Sequence, residues 1–153
     1  MPEAPERTFE ILIVEDNPGD VLLIREALAK SVPAEITVAC DGEEAVIVLR
    51  QRFDSSGGRI PDLILLDLHL PRLDGFAVLA AIRNEAALRC VPVVIFSTSD
   101  TEHEILRCYE MGASCYVPKP FDFPRFNQVI DSIAKFWLKT AVAPKRRGLL
   151  APL

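Results

Sequence analysis

Five residues in four separated stretches carry side chains suited to one another: Glu15-Asp16, Asp67, Ser97 and Lys119. Each closes or follows a short apolar run, EILIV before Glu15, LILL before Asp67, VPVVIF before Ser97 and SCYVP before Lys119. Carboxylates held close repel one another and raise each other's pKa unless a cation intervenes. An oxygen-only set without His or Cys suits a hard ion, foremost Mg2+, which keeps waters and takes one or two carboxylates plus phosphate oxygens. A carboxylate left free to react is a nucleophile, and a lysine ammonium neutralises charge developing on transferred oxygens. With a hydroxyl beside them, these groups make a phosphoryl-transfer site whose product is an aspartyl phosphate. Any one of them alone has a simpler role, since an Asp after a strand commonly caps a turn or a helix. Their recurrence at the ends of separate strands is what points to chemistry.

The elements that must position them follow from pattern. Short apolar runs bounded by turn residues, here 10–15, 63–66, 91–96 and 114–117, are typical of strands buried on both faces. Residues 35–40 (EITVAC) are less apolar and suit an edge strand. Between these runs the spacing predicts helices over 18–30, 43–53, 75–83, 101–111 and 123–139. Pro18 stands where a missing N–H costs little, Asp74 is placed to cap, and Gly112 is placed to stop a helix. Strand and helix alternate five times, which predicts an α/β protein with a doubly wound, five-stranded parallel sheet, (βα)5. In such a sheet every strand's C-terminal end opens on one edge, so the five chemical residues are expected to meet there.

Composition narrows the classes. The chain has 153 residues, half of them hydrophobic, with a net charge of −5. One domain is expected, without the basic field that holds nucleic acid. No apolar run approaches a membrane span, and MPEAPERTFE lacks the apolar segment of a secretory signal, so a cytoplasmic protein is expected. Cys40, Cys90, Cys108 and Cys115 lack metal-ligand spacing and adjoin apolar stretches, so buried thiols are expected.

On these residues the chain resembles a response-regulator receiver domain of bacterial two-component signalling, with its flavodoxin-like fold, over about residues 9–139. Asp67 to Ser97 is thirty positions and Ser97 to Lys119 twenty-two, which is the family's spacing. The resemblance implies Asp67 as phosphoacceptor and a Mg2+ site from Glu15, Asp16, Asp67 and the backbone carbonyl of His69. It implies that Ser97 and Tyr116 form the switch pair, and that Lys119 contacts a phosphate oxygen and precedes a cis bond to Pro120. The donor implied is a sensor histidine kinase or a histidine phosphotransfer domain. Such a protein is a signalling phosphoacceptor rather than an enzyme on a separate substrate, catalysing only its own phosphotransfer and autodephosphorylation. The EDNPGD opening, the longer loop DSSGGR (54–59) and the FW of the last helix resemble the small regulators paired with bacterial phytochromes.

Residues 1–8 read as an arm and 140–153 as a tail, with KRR (145–147) solvated and no output module expected to follow. The protein is therefore expected to signal by binding, as a single-domain regulator. Phe126, Val129, Ile130, Ile133 and Trp137 form one stripe, but Phe136 and Leu138 add apolar surface beyond one face. Phe136, Trp137 and Leu138 are accordingly candidates for a homodimer interface, and Val21 and Leu22 for kinase docking.

Three rival classes fit less well. A haloacid-dehalogenase-type phosphatase needs a second Asp two positions after the nucleophile, where this chain has His69. An interaction module that never carries phosphate has no need of the intact set Glu15, Asp16, Asp67, Ser97 and Lys119. A nucleotide- or flavin-binding fold wants a glycine- or hydroxyl-rich loop after the first strand, and Asn17-Pro18-Gly19 supplies none.

Overall fold

Five strands alternate with five helices in the computed structural model, which describes residues 7–54 and 59–144. The strands are β1 (Phe9–Val14), β2 (Ala34–Ala39), β3 (Leu63–Leu66), β4 (Val93–Ser97) and β5 (Cys115–Pro118). The helices are α1 (Pro18–Ser31), α2 (Gly42–Asp54), α3 (Gly75–Asn84), α4 (Glu102–Glu110) and α5 (Phe123–Lys135). All strand pairs are parallel, in the order β2-β1-β3-β4-β5. The expected doubly wound sheet is present, with β2 at an edge. No helix among the described residues is long and apolar enough to cross a membrane.

β1, β3 and β4 are buried along their whole lengths, which explains their unbroken Ile, Val and Leu content. Alternate residues feed two cores. Leu12, Val14, Ile64, Leu66, Val93 and Ile95 pack under α2, α3 and α4, while Ile11, Ile13, Leu63, Leu65, Val94 and Phe96 pack under α1 and α5. Each such side chain contributes about 1.5–3 kcal/mol on full burial. Pairing of Val14 with Leu66, Leu66 with Ile95, and Ser97 with Pro118 fixes the register at the C-terminal edge. Glu15, Asp67, Ser97 and Lys119 leave the sheet together there.

The caps agree with the sequence pattern. The Asn17 side chain accepts from the N–H groups of Gly19 and Asp20, Asp74 from Ala77, Thr101 from Glu104 and Asp122 from Arg125. Gly112 follows α4 with φ of 95°, the left-handed conformation in which a residue without Cβ is favoured.

Other details depart from expectation. β4 begins at Val93 rather than at residue 91, because Pro92 has no N–H for the ladder and offers only its carbonyl, to Ile64 N at 3.0 Å. Residues Ala86–Leu88 form a short 3-10 turn. The last helix stops being α-helical at Lys135, and Phe136–Thr140 makes a wider π-type turn closed by Ala141 N–H on the Phe136 carbonyl at 2.7 Å. Cys108 is buried and Cys115 partly so, but Cys40 and Cys90 are exposed, contrary to expectation. Both stand in connections next to strands, where the chain has already left the core.

Residues 1–6 of the expected arm, 55–58 of the longer loop and 145–153 of the tail, including KRR, lie outside the described residues. Arg7 is tied down by Asp62 at 2.5 Å.

Gly75 sets how near α3 comes to the acceptor strand. A Cβ there would stand 2.2 Å from the Asp67 carbonyl oxygen and 2.6 Å from Leu68 Cα, both backbone atoms that cannot yield without moving the strand end. Gly75→Ala is expected to lower stability by about 1–3 kcal/mol, as overpacking does, read as a lower urea midpoint at unchanged slope.

Candidate functional site

Lys119 lies one residue past β5 and points its ammonium back into the mouth of the sheet. Its Nζ donates to Glu15 Oε1, to Asp20 Oδ2 at 2.9 Å and to Asp67 Oδ2 at 3.0 Å. An ammonium has three N–H donors, so all are engaged. The Lys119 and Glu15 side chains are 5% and 2% exposed, so these are interior ion pairs rather than solvated surface contacts. The ammonium also stands over the Phe96 ring, 6.0 Å from its centroid. Lys119 N–H donates to the Ser97 carbonyl at 2.8 Å, which carries the β4–β5 ladder up to the site.

Asp67 is held at both oxygens. Oδ1 accepts the Leu68 N–H at 2.7 Å and Oδ2 accepts from Lys119, which fixes the carboxylate at the end of β3. Asp16, unlike Glu15 and Asp67, is exposed. Glu15, Asp16 and Asp67 each offer a carboxylate oxygen, and these lie within 4.8 Å of one another. Three converging oxygen donors without nitrogen or sulfur fit a hard divalent cation such as Mg2+.

The charges set the proton affinities. Burial pushes the Glu15 carboxyl up to about 8, against the Lys119 hydrogen bond that lowers it, and the charge of Asp67 adds to the rise. Burial by itself lowers the Lys119 pKa, but the Glu15 hydrogen bond, the Asp67 charge and the Asp20 hydrogen bond more than offset that, so the ammonium is held charged.

A second set of contacts rims the site. Ser97 is fully buried, and its Oγ accepts the Ser99 N–H at 3.4 Å. The Tyr116 hydroxyl donates to the Ser99 carbonyl, and the Ser99 hydroxyl donates to Glu104 of α4. The same Glu104 oxygen lies 3.6 Å from His69 Nε2, whose side chain is otherwise exposed. Burial raises the Tyr116 pKa against its hydrogen bonds to Ser99 and Ser97. Ser97, Ser99, Tyr116, Glu104 and His69 thus join β4, β5, α4 and the loop after Asp67.

Two of these residues were absent from the sequence expectation, Asp20 and Glu104. Both are acids in the first turn of a helix, where the helix dipole alone is reason enough for them. For Asp20 the only signal was its place in EDNPGD, one turn beyond the acidic pair.

The remaining candidates lie elsewhere. Leu22 is 57% exposed and Val21 partly so on α1. Phe136 is 51% exposed, with its ring edge-on to Trp137 at 5.0 Å. Trp137 and Leu138, partly buried, pack against the α1–α5 core. The peptide bond between Lys119 and Pro120 is trans, a correction to the implied cis bond. Trans is favoured before proline by about 0.5–1 kcal/mol. Phe121, just beyond, is 98% exposed and offers no packing against that preference.

Known proteins resemble this chain in sequence and in fold. Residues 11–131 match the sequence profile of the response regulator receiver domain. The response regulator Rcp1 of Synechocystis sp. is 36% identical over 135 residues, covering 88% of this chain and 92% of that protein. Among solved structures, the phosphorylated cyanobacterial phytochrome response regulator RcpA is 43% identical with a TM-score of 0.85, covering 91% of this chain and 100% of that one. The Mn2+-bound form of Rcp1 is 36% identical with a TM-score of 0.82, covering 90% and 99%.

The raised Glu15 pKa has a sign that calorimetry can read. The carboxyl titrates at about 8, so below that pH a cation competes with a proton for the oxygen. Mg2+ affinity is therefore expected to rise with pH, by up to about tenfold per unit below that value, and to level off above it. Glu15→Gln should flatten the slope.

Proposed function

The chain belongs to the receiver-domain family of response regulators in two-component signalling, and on that premise we propose that Asp67 accepts a phosphoryl group from a phosphohistidine. The observation that carries this is the buried Asp67 carboxylate held at 3.0 Å from the Lys119 ammonium beside two further acids whose oxygens converge with its own. Asp67 attacks phosphorus in line as the bond to the donor imidazole breaks, and the departing ring nitrogen takes up a proton. Lys119 remains on the transferring oxygens and offsets the charge that gathers there. Glu15, Asp16, Asp67 and the His69 carbonyl would hold a divalent cation, Mg2+ by the hardness of the donors, which supplies positive charge against the same oxygens. Water hydrolyses the acyl phosphate afterwards, so the domain resets itself rather than turning over a separate substrate.

The output runs through Ser97. A phosphoryl group on Asp67 presents new acceptors to the Ser97 hydroxyl, and the Ser99 amide now resting on Ser97 Oγ at 3.4 Å is then displaced. Tyr116 and Glu104 both bond Ser99, so the change reaches β5 and the first turn of α4 together. This shifts a pre-existing equilibrium of that surface and so alters what the protein binds.

The donor is a sensor histidine kinase or a histidine phosphotransfer domain, working in the cytoplasm where phosphohistidine is made from ATP. The likeness to RcpA, a phytochrome response regulator, supports a phytochrome-type kinase as that donor. Exposed Leu22 beside Val21 suits docking of the donor, and half-exposed Phe136 suits contact with a second copy of the chain.

With Mg2+ and a small phosphodonor, intact mass should show a single phosphoryl adduct on the wild type and none on Asp67→Asn. Chelating the metal should slow the reaction at least about tenfold. A change in elution volume with the adduct would make self-association the output. A folded wild type that gains no adduct would make the protein a phosphate-independent interaction module.

A further inference from the structure

Lys119 has three donors and three acidic partners, and in the reaction proposed above two of those partners change. Glu15 is one of the three carboxylates whose oxygens converge for a cation, and an oxygen turned to a cation is a poorer acceptor for an ammonium. Asp67 becomes an acyl phosphate, so its bond to Lys119 must pass to phosphoryl oxygens. Asp20 takes part in neither event. It stands outside the converging cluster, and its backbone is fixed in the first turn of α1, where its N–H donates to Asn17 Oδ1 at 3.1 Å.

We propose that Asp20 is the positioning residue for Lys119, holding one N–H of the ammonium throughout while Glu15 and Asp67 exchange partners. The proposal rests on the phosphoacceptor reading of the site. A lysine side chain is long and flexible, and an ammonium that loses two of three partners drifts toward water unless the third is fixed. Asp20 is suited to that task by its short side chain, its anchored turn and a bond 2.9 Å long to the ammonium. It does not touch the reacting atoms and acts through Lys119 alone.

Two variants separate positioning from charge. Asp20→Asn keeps an acceptor oxygen and loses the charge, whereas Asp20→Ala loses both. The readouts are the 15N ammonium resonance of Lys119, with and without saturating Mg2+, and the maximal phosphorylation rate with a small phosphodonor. In the wild type the resonance should persist on adding Mg2+, as a held ammonium exchanges slowly. In Asp20→Ala it should disappear on adding Mg2+, and the maximal rate should fall about tenfold or more, the usual scale for a misplaced catalytic group. Asp20→Asn should keep the resonance and stay within about threefold of the wild-type rate. The proposal is overturned if the alanine variant keeps the resonance in Mg2+, or if the two variants fall equally, which would mark a charge effect. A wild type that takes no phosphoryl group would sink the phosphoacceptor reading, while the resonance in Mg2+ would still decide whether Asp20 holds Lys119.

Discussion

An ammonium buried among carboxylates is costly to assemble and costly to disturb, and the C-terminal edge of this sheet is arranged around one. Taking a charge out of water is tolerated only when partners with good geometry surround it, and removing one partner of such a set is destabilising. Lys119 meets that condition only because β5 places it there. Its own N–H bonds the Ser97 carbonyl at 2.8 Å, so one backbone contact sets the height of both the ammonium and the hydroxyl. A register slip of one residue would turn Lys119 to the opposite face of the sheet. The parallel pairing of Val94 to Ser97 with Cys115 to Pro118 is therefore a functional constraint as well as a structural one.

The rim around the site is built from weaker material, which suits the movement proposed for it. Cys108 is the only fully buried residue of α4, and the helix is nine residues long. Its first turn is tied through Glu104 to Ser99 and faces His69, and farther along Arg107 lies 4.0 Å over the Phe76 ring of α3. A helix with one buried side chain and a few polar ties can change position at modest cost, whereas β3 and β4 cannot. On the proposed function, the rigid part of the molecule holds the acceptor and the compliant part senses it.

What could be read from the sequence follows the same division. β1, β3 and β4 were legible because strands buried on both faces permit only apolar residues, and the first polar residue after each run marks where the sheet ends. That is why Glu15, Asp67 and Ser97 could be named as neighbours without coordinates. Asp20 and Glu104 were not legible, because an acid in a helix's first turn satisfies the helix by itself and gives no sign of a second partner. The bond from Lys119 to Asp20 spans 99 positions of chain, and no local pattern encodes it. The π-type turn at Phe136–Thr140 was hidden for a related reason. An apolar FWL suits a continuing α-helix equally well, and nothing in its pattern marks the wider turn.

Charge balance explains why a hydroxyl, rather than another acid or base, stands at position 97. Glu15, Asp20 and Asp67 bond the single ammonium of Lys119 and Asp16 stands beside Glu15 and Asp67, so when all are ionised the site is well short of neutral. A divalent cation removes most of that excess. The proposed phosphorylation would convert the Asp67 carboxylate into a mixed anhydride but add a group of about −1.5 to −2 charges, so the site would become more negative again. A fixed second cation at position 97 would already be engaged by the acids before phosphorylation and would report nothing. A carboxylate there would oppose the incoming group. The Ser97 hydroxyl is neutral, accepts the Ser99 N–H while Asp67 is bare, and can turn to donate once phosphoryl oxygens arrive. A group able to act as acceptor or donor at no cost in charge is what lets the same buried position distinguish the two states.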